Sequence, residues 1–384
     1  MKFLHLSDLH IGLKLYNYDL MEDQRYIFNQ IAAAAKETQP DAVVIAGDIY
    51  DKAIPSAEAV GLFDEFVQLL TEAAPDAEVM MISGNHDSAP RLNTFRSVLR
   101  RQKVHMVGLP PAMPEDHIEK VTLTDEFGKV NFYLLPFIRP SSVKQIIGTD
   151  ENGLNFTYNE TLHRIIAREN IIGTERSVLV SHQFYLPAGT DAANVERMES
   201  EVRTIGNIDE VKADILEKFD YAALGHIHKP MRVGKDNFRY PGTPLACSLS
   251  EAGQQKGILL VEMKEKGNVS TTVLPLTPLR EVKEIRGSLE EVLGQGCGDY
   301  VRVTLTDKAD LNVIDMQDRI RLKFPRLLEI RRDTGESRKA RAEWTPEEEL
   351  NPFEICSRFL PDLMPEEQAL LRDVINELTG GEGK

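Results

Sequence analysis

The chain has few cysteines, no long apolar run and a shortage of positive charge, and each of these narrows the reading. Its three cysteines, Cys247, Cys297 and Cys356, lie far apart and show no C-x-x-C spacing. That argues against a disulfide-stapled chain and fits a reduced, cytoplasmic protein with structural thiols. No stretch approaches the roughly 18 apolar residues that a membrane helix needs. Met1–Leu6 runs straight into a short β-like segment with no apolar signal region, so neither export nor a membrane role is expected. No G-x-x-x-x-G-K-[ST] motif occurs, so any ATP dependence has to come from a partner. There is no internal repeat and no low-complexity tract. With 45 basic against 61 acidic residues the net charge is −16, which taken alone argues against polyanions as partners.

What is present points to two or three soluble, well-packed domains. At 384 residues the chain exceeds one ordinary core, and 42% hydrophobic residues are enough to fill several. Five short apolar runs end abruptly in polar turns: Lys2–Leu6, Ala42–Ala46, Val79–Ile82, Ser177–Val180 and Tyr221–Leu224. Continuous Val/Ile/Leu/Met runs of this length read as strands buried on both faces, as in sheets covered by helices. Helical spacing lies between them. Gln24–Thr38 carries Phe28, Ile31, Ala32 and Ala35; Ala57–Ala73 carries Val60, Phe63, Phe66, Val67 and Leu70, with Ser56 as its cap. Alternating strands and helices predict an α/β layered domain, and ligands of such sheets bind beyond the carboxyl ends of the strands, where the five turns fall.

The texture changes after Leu276. Pro275–Leu279 reads as a linker, and Glu281–Arg286, Leu289–Leu293, Tyr300–Thr306, Asn312–Lys323 and Leu327–Arg331 alternate as strand, helix, strand, helix, strand. The organisation predicted is a catalytic domain over 1–275, a small α+β capping domain over 280–335 and C-terminal helices over 350–380. Gly335–Glu349 is polar, Asn351-Pro352 opens a helix, and a last helix over Pro365–Leu378 sets Leu370, Leu371, Val374, Ile375 and Leu378 on one stripe.

Chemistry concentrates in the five turns. Asp8-Leu9-His10 sets a carboxylate and an imidazole two residues apart, which in extended backbone aims both to one side; His226-Ile227-His228 repeats this with two imidazoles. Asp48 follows Gly47 and Asn85 follows Gly84, small residues that let the backbone turn sharply, while His182 follows Ser181. Two carboxylates, four imidazoles and one amide are too many ligands for one divalent ion and suit two ions sharing a bridging carboxylate. Two divalent cations, two carboxylates and one hydroxide leave a net positive charge, which suits an anionic phosphodiester. Any one of these motifs alone is weak; five, each closing a buried strand, make a metal site. His5, His105, His117 and His163 lie outside the turns and read as structural or surface residues.

Taken together, Asp8-x-His10, Gly47-Asp48-x-x-Asp51, Gly84-Asn85-His86-Asp87, Ser181-His182 and Gly225-His226-x-His228 resemble the calcineurin-like metallophosphoesterase superfamily. The opening M-K-F-L-H-L-S-D-L-H-I-G, the run A-G-D-I-Y-D and Tyr240-Pro241-Gly242-Thr243-Pro244 are similar to its SbcD-type nuclease subunits. The resemblance covers about residues 1–275. It implies a layered sandwich and a two-metal phosphodiesterase. One ion would be held by Asp8, His10 and His228, the other by Asn85, His182 and His226, with Asp48 bridging. His86 would act on the phosphate or leaving group, with Asp87 fixing its tautomer; Asp51 stands where some relatives carry a histidine. The N/O ligand set suits Mn²⁺, Fe²⁺ or Zn²⁺, and the resemblance favours Mn²⁺. It further implies a 3′→5′ exonuclease on duplex ends and an endonuclease on single strands or hairpins. Such an enzyme works with an SbcC-type coiled-coil ATPase, as a homodimer within a heterotetramer, in nucleoid-associated DNA repair, recombination and replication.

Local charge offers a route for DNA on an acidic chain. Arg91, Arg96, Arg100, Arg101 and Lys103 follow the Gly84–Asp87 turn with no acidic residue among them, and Lys323–Arg341 is a second basic stretch. Either run reads as a solvated face or as a phosphate track, and the first adjoins the proposed site. The stripe on the last helix reads either as docking on its own chain or on the ATPase. The competing readings are a phosphoesterase of small diesters or phosphoproteins, and a scaffold subunit with a vestigial site.

Overall fold

The computed structural model describes residues 1–187, 189–190, 198, 200–201, 209–307, 313–333, 356, 359–360 and 364–378. Two six-stranded sheets pack face to face. The first runs Val269–Leu276, Lys256–Met263, Lys2–Leu6, Ala42–Ala46, Glu78–Ile82, Val104–Val107, its last four strands mutually parallel. The second runs Met231–Val233, Lys235–Tyr240, Tyr221–Gly225, Arg176–His182, Gly128–Leu135, Glu119–Asp125, with the middle four parallel and an antiparallel strand at each edge.

The continuous apolar runs are explained by what covers each face. Side chains alternate across a strand, so Phe3, Val44, Met80 and Ile82 point into the inter-sheet core against Phe132, Val178, Val180 and Tyr221. Leu4, Leu6, Val43, Ile45, Val79 and Met81 point the other way, onto the Met21–Thr38 and Ala57–Ala73 helices. Those helices present Ile27, Phe28, Ile31, Leu62, Phe66 and Leu70, with Phe28 and Phe66 stacked at 4.2 Å. The outer face of the second sheet is covered by Leu162, Ile165 and Ile166 of Tyr158–Ala167. The architecture is therefore helix, sheet, sheet, helix, and the second cover on each sheet is the other sheet rather than more helices. Each such buried side chain contributes about 1.5–3 kcal/mol. Ser56 caps its helix as the sequence predicts, its side chain accepting from the Ala59 N–H at 3.3 Å. Val60, placed by periodicity on the apolar face, is 46% exposed, because the sheet contact lies on the side of Ala59, Leu62 and Phe66.

The parallel strands start together and end together. Leu6 pairs with Ile45, Ala46 with Ile82, and Gly225 with His182, so the polar turns emerge at one edge of the sandwich. Beyond it, Val282–Gly287, Tyr300–Leu305 and Leu327–Arg332 form a parallel three-stranded sheet. With Leu289–Leu293 and Val313–Lys323 it encloses its own core of Val292, Val301, Val303, Ile320 and Phe324. Polar contacts tie this unit to the sandwich: the Tyr300 hydroxyl donates to Asp23 at 2.9 Å, Arg280 pairs with Asp23 at 2.8 Å, and the Tyr18 hydroxyl donates to the Pro325 carbonyl at 3.1 Å. On Pro365–Leu378, Ile375 is buried whereas Leu370 and Val374 are exposed. The polar 335–349 stretch, the segment opened by Asn351-Pro352, and Arg338, Lys339 and Arg341 lie outside the described residues. No helix among the described residues is long and apolar enough to cross a membrane.

Candidate metal centre

Seven side chains meet where the two sheets end. Asp8, His10, Asp48 and Asn85 come from the first sheet's turns, and His182, His226 and His228 from the second. All are buried except Asn85, which is half-buried and opens the cluster to one side. The His10 and His228 Nε2 atoms lie 3.1 Å apart, and Asp8, His10 and His228 each place a ligand atom within 4.8 Å of the others. On the far side, Asn85 Oδ1 lies 3.1 Å from His182 Nε2 and 2.9 Å from His226 Nδ1. Asp48 Oδ2 stands between the groups, 3.7 Å from His10 Nε2 and 3.3 Å from His182 Nε2.

The backbone departs from the extended geometry expected of the D-x-H and H-x-H pairs. Asp8, His10, Asp48 and His226 have φ of 54°, 43°, 49° and 105°, so their convergence comes from left-handed turns rather than from pleat alternation. Such conformations cost about 1–3 kcal/mol each and persist where surrounding contacts over-determine them. Here the Asp8 N–H donates to Gly47 O at 3.0 Å and the His10 N–H to Asp48 O at 3.1 Å. Of the glycines before ligands, only Gly47 has positive φ (86°). Gly84 and Gly225 are needed for room: a Cβ on the first would strike the Asp48 carboxylate, and on the second the Ala46 carbonyl.

The donor set fits cations. The His182 Nδ1–H donates to Ala46 O at 2.8 Å, so its Nε2 faces Asp48 Oδ2 and Asn85 Oδ1 and must meet them through a proton or a cation. Acceptors facing one another in a buried space repel unless positive charge lies between them. The electrostatics agree. Burial opposes charge on His182, yet the Asp48 and Asp8 carboxylates raise it to about 9. Burial, reinforced by Asp48, pushes Asp8 up to about 6. Two acids and their imidazoles are thus short of positive charge.

Groups missed in the sequence brace His228. His228 Nδ1 is bonded to Ser200 Oγ at 2.7 Å, and Ser200 donates to Glu251 Oε1 at 2.9 Å. Glu251 is itself held by Lys256 at 2.6 Å and Thr243 at 2.8 Å, and the His228 N–H donates to Glu201 at 2.9 Å. This is the outer layer that fixes a ligating histidine's tautomer. Thr243 belongs to the Tyr240–Pro244 run, but Ser200 and Glu251 carry no local signal. The other histidines hold elsewhere: His5 on Tyr221 and Leu224, His105 on Glu78, His117 beside Glu169, His163 on Asn159 and Asp214.

Two expectations change. Asp87 does not reach His86; its carboxylate accepts the backbone N–H groups of Ile49, Tyr50 and Gly84 at 3.0, 2.9 and 2.9 Å, pinning one turn to the next. His86 is oriented instead by the Asp51 carbonyl, which accepts from its Nδ1 at 3.0 Å, while the His86 N–H donates to Asp48 Oδ1 at 2.9 Å. The arginine run also differs, since Glu119 pairs with both Arg96 and Arg100. Glu119 is distant in sequence, so composition within 91–103 could not reveal it. Arg91 and Arg101 remain exposed.

A helix–sheet–sheet–helix sandwich with a histidine–carboxylate cluster at the strand ends is the frame of a metal-dependent phosphoesterase. The chain belongs to the calcineurin-like phosphoesterase family, which matches residues 1–230, and it binds divalent metal. Residues 275–362 match the type 5 capsule protein repressor C-terminal domain. The chain is 29% identical over 335 residues to the SbcD subunit of the SbcCD nuclease of Staphylococcus epidermidis, covering 85% of this chain and 84% of that one. Among solved structures, a dimetal phosphatase from Danio rerio is 13% identical with a TM-score of 0.42, covering 74% of this chain and 99% of that one. A protein from Thermus thermophilus is 12% identical with a TM-score of 0.38, covering 71% and 98%.

Proposed function

We propose that this protein is an Mn²⁺-dependent DNA nuclease, acting as a 3′→5′ exonuclease on duplex ends and an endonuclease on single strands and hairpins. The observation that carries the reading is Asp48 Oδ2 standing between the His10 and His182 ring nitrogens, in a chain related over most of its length to a nuclease subunit. Asp8, His10 and His228 would hold one ion, Asn85, His182 and His226 the other, and Asp48 would serve both. When bound, the pair supplies Lewis acidity and an activated water at neutral pH.

The chain's own groups do the rest. His86, its Nδ1–H engaged by Asp51 O, keeps Nε2 for the phosphate or the leaving oxygen, where it serves as the general acid. Its ring lies edge-on to His10 at 4.9 Å, so it is next to the ligands without displacing them. Asp87 holds the Asp48 and Gly84 turns in register and takes no part in proton transfer. Arg91 and Arg101, exposed and outside the Glu119 pairing, serve for tracking the DNA backbone.

The nuclease domain spans 1–275 and the capping domain 280–335, and the helices of 350–380 dock an SbcC-type coiled-coil ATPase. Phe359, Leu360, Met364, Leu370 and Val374 offer an exposed apolar face for that partner. A homodimer within a heterotetramer is supported by Phe95 and Val98, which are 74% and 60% exposed. The complex serves DNA repair, recombination and replication in the cytoplasm at the nucleoid. The test is a nuclease assay on a hairpin duplex with Mn²⁺ and with Mg²⁺, comparing wild type with His86→Ala and Asp48→Ala. Cleavage by wild type alone, with DNA binding kept in His86→Ala, is the expected result. Rapid hydrolysis of cyclic nucleotides with DNA spared would overturn it.

A further inference from the structure

Just past the Gly128–Leu135 strand, the chain holds a cation that no described residue neutralises. Arg139 is half-buried, and its guanidinium lies 5.6 Å from the centroid of the Phe137 ring. Among the described residues it has no ion pair and no side-chain hydrogen bond. Phe137 in turn packs on the metal centre. Its ring stacks on His226 at 6.4 Å and 22°, and meets His182 edge-on at 6.3 Å. Tyr158 closes the other side with its ring 6.4 Å from Phe137. Its phenol, pushed up to about 12 by burial, is opposed by Arg139 and reinforced by Asp209. Asp209 Oδ2 lies 3.9 Å from His226 Nε2. Arginine, rings and the His182–His226 side of the centre form one continuous wall.

A partly desolvated guanidinium beside a cluster that takes divalent cations is unfavourable, because like charges repel more strongly out of water. An anion lying between them reverses the sign. The scissile phosphate alone belongs to the metal centre, but a nucleic-acid strand carries another phosphate one nucleotide along. The planar fork of an arginine matches phosphate geometry, and an aromatic face beneath it restricts its rotamers.

We propose that Arg139 binds the phosphate flanking the scissile one, on the His182–His226 side of the centre. The proposal rests on the DNA-nuclease reading and names the subsite that separates a polynucleotide from a small diester.

Fluorescence-anisotropy titration of a single-stranded oligonucleotide with the full chain, repeated over a salt series, reads this contact. Arg139→Ala is expected to weaken binding five- to tenfold and to make the log–log salt slope shallower by about 0.7, the value for one single-strand phosphate. Arg139→Lys is expected to keep the slope while losing part of the affinity, since an ammonium cannot fork. Wild-type binding with Arg139→Ala unchanged overturns this proposal alone. So does lost affinity with an unchanged slope, which marks a structural effect. A wild-type chain that neither binds nor cuts the oligonucleotide, yet hydrolyses bis(p-nitrophenyl) phosphate, overturns the nuclease reading and this proposal together.

Discussion

The first sheet brings to the centre both carboxylates, the Asn85 amide and one imidazole, whereas the second brings three imidazoles and no acid. The halves also differ in how they are held. Asp8, His10 and Asp48 occupy left-handed backbone on loops past the strand ends, as His226 does at φ 105°; His182 alone is the last residue of a regular strand, anchored by its Nδ1–H on Ala46 O at 2.8 Å. That anchor belongs to the first sheet, so the imidazole half is aimed by the carboxylate half. Each proposed ligand set draws on both sheets. Both carboxylates are kept on the first sheet and three of the four imidazoles on the second, and the inter-sheet core of Phe3, Val44, Phe132 and Val180 brings them together. Metal binding and sheet docking should therefore be coupled.

The largest expected effect tests whether one carboxylate serves both halves. Asp48→Ala should bring cleavage below about a thousandth of wild type and lower metal content from two ions to fewer than one, measured by nuclease assay and elemental analysis. Two ions retained at full occupancy would break the shared-ligand account. His86→Ala should cost about 10²–10⁴ in rate with metal content unchanged, since its proposed role is proton transfer. Loss of an ion instead would move His86 into the ligand set.

Coupling between the sheets is checked by denaturation with and without divalent ion. Saturating metal at a hundred times its Kd should add about 2.7 kcal/mol to unfolding stability. A metal-independent midpoint would mean that the ion does not bind the folded chain in preference to the unfolded one, and would break the coupling. The smallest effect belongs to the outer layer. Ser200→Ala removes the link between His228 Nδ1 and Glu251, and should weaken metal affinity about tenfold, read by competition with a chelator. A change in both ions' affinities would show that the Ser200–Glu251 layer behind His228 acts on both ligand sets.

Legibility followed locality. The strand–turn edges were readable because each is a short apolar run meeting Asp, Asn, His or Gly, and burial on both faces showed as unbroken apolar sequence. The left-handed φ of Asp8, His10 and Asp48 was not readable, because nothing in those residue types demands it; packing over-determines it. Asp87 was misread as the partner of His86 because adjacency in sequence stood in for contact, while its three real partners are backbone N–H groups, two in the Asp48 turn and one in its own. Glu119 on Arg96 and Arg100, and Ser200 on His228, are pairings across large sequence separations between ordinary polar residues.

The sequence by itself determined which polar side chains close the buried strands, since residue types at strand ends are a local property of each turn. It also determined the α/β character, through periodicity, and the family, through five motifs in one order. Only the tertiary structure decided that the ligands divide between two sheets, that Asp48 stands between their ring nitrogens, and that Arg139 is left without a counter-charge among the described residues. Those facts depend on how two independently patterned sheets stack and on which charges their loops then bring together. Periodicity encodes which face of a strand is buried but not what buries it.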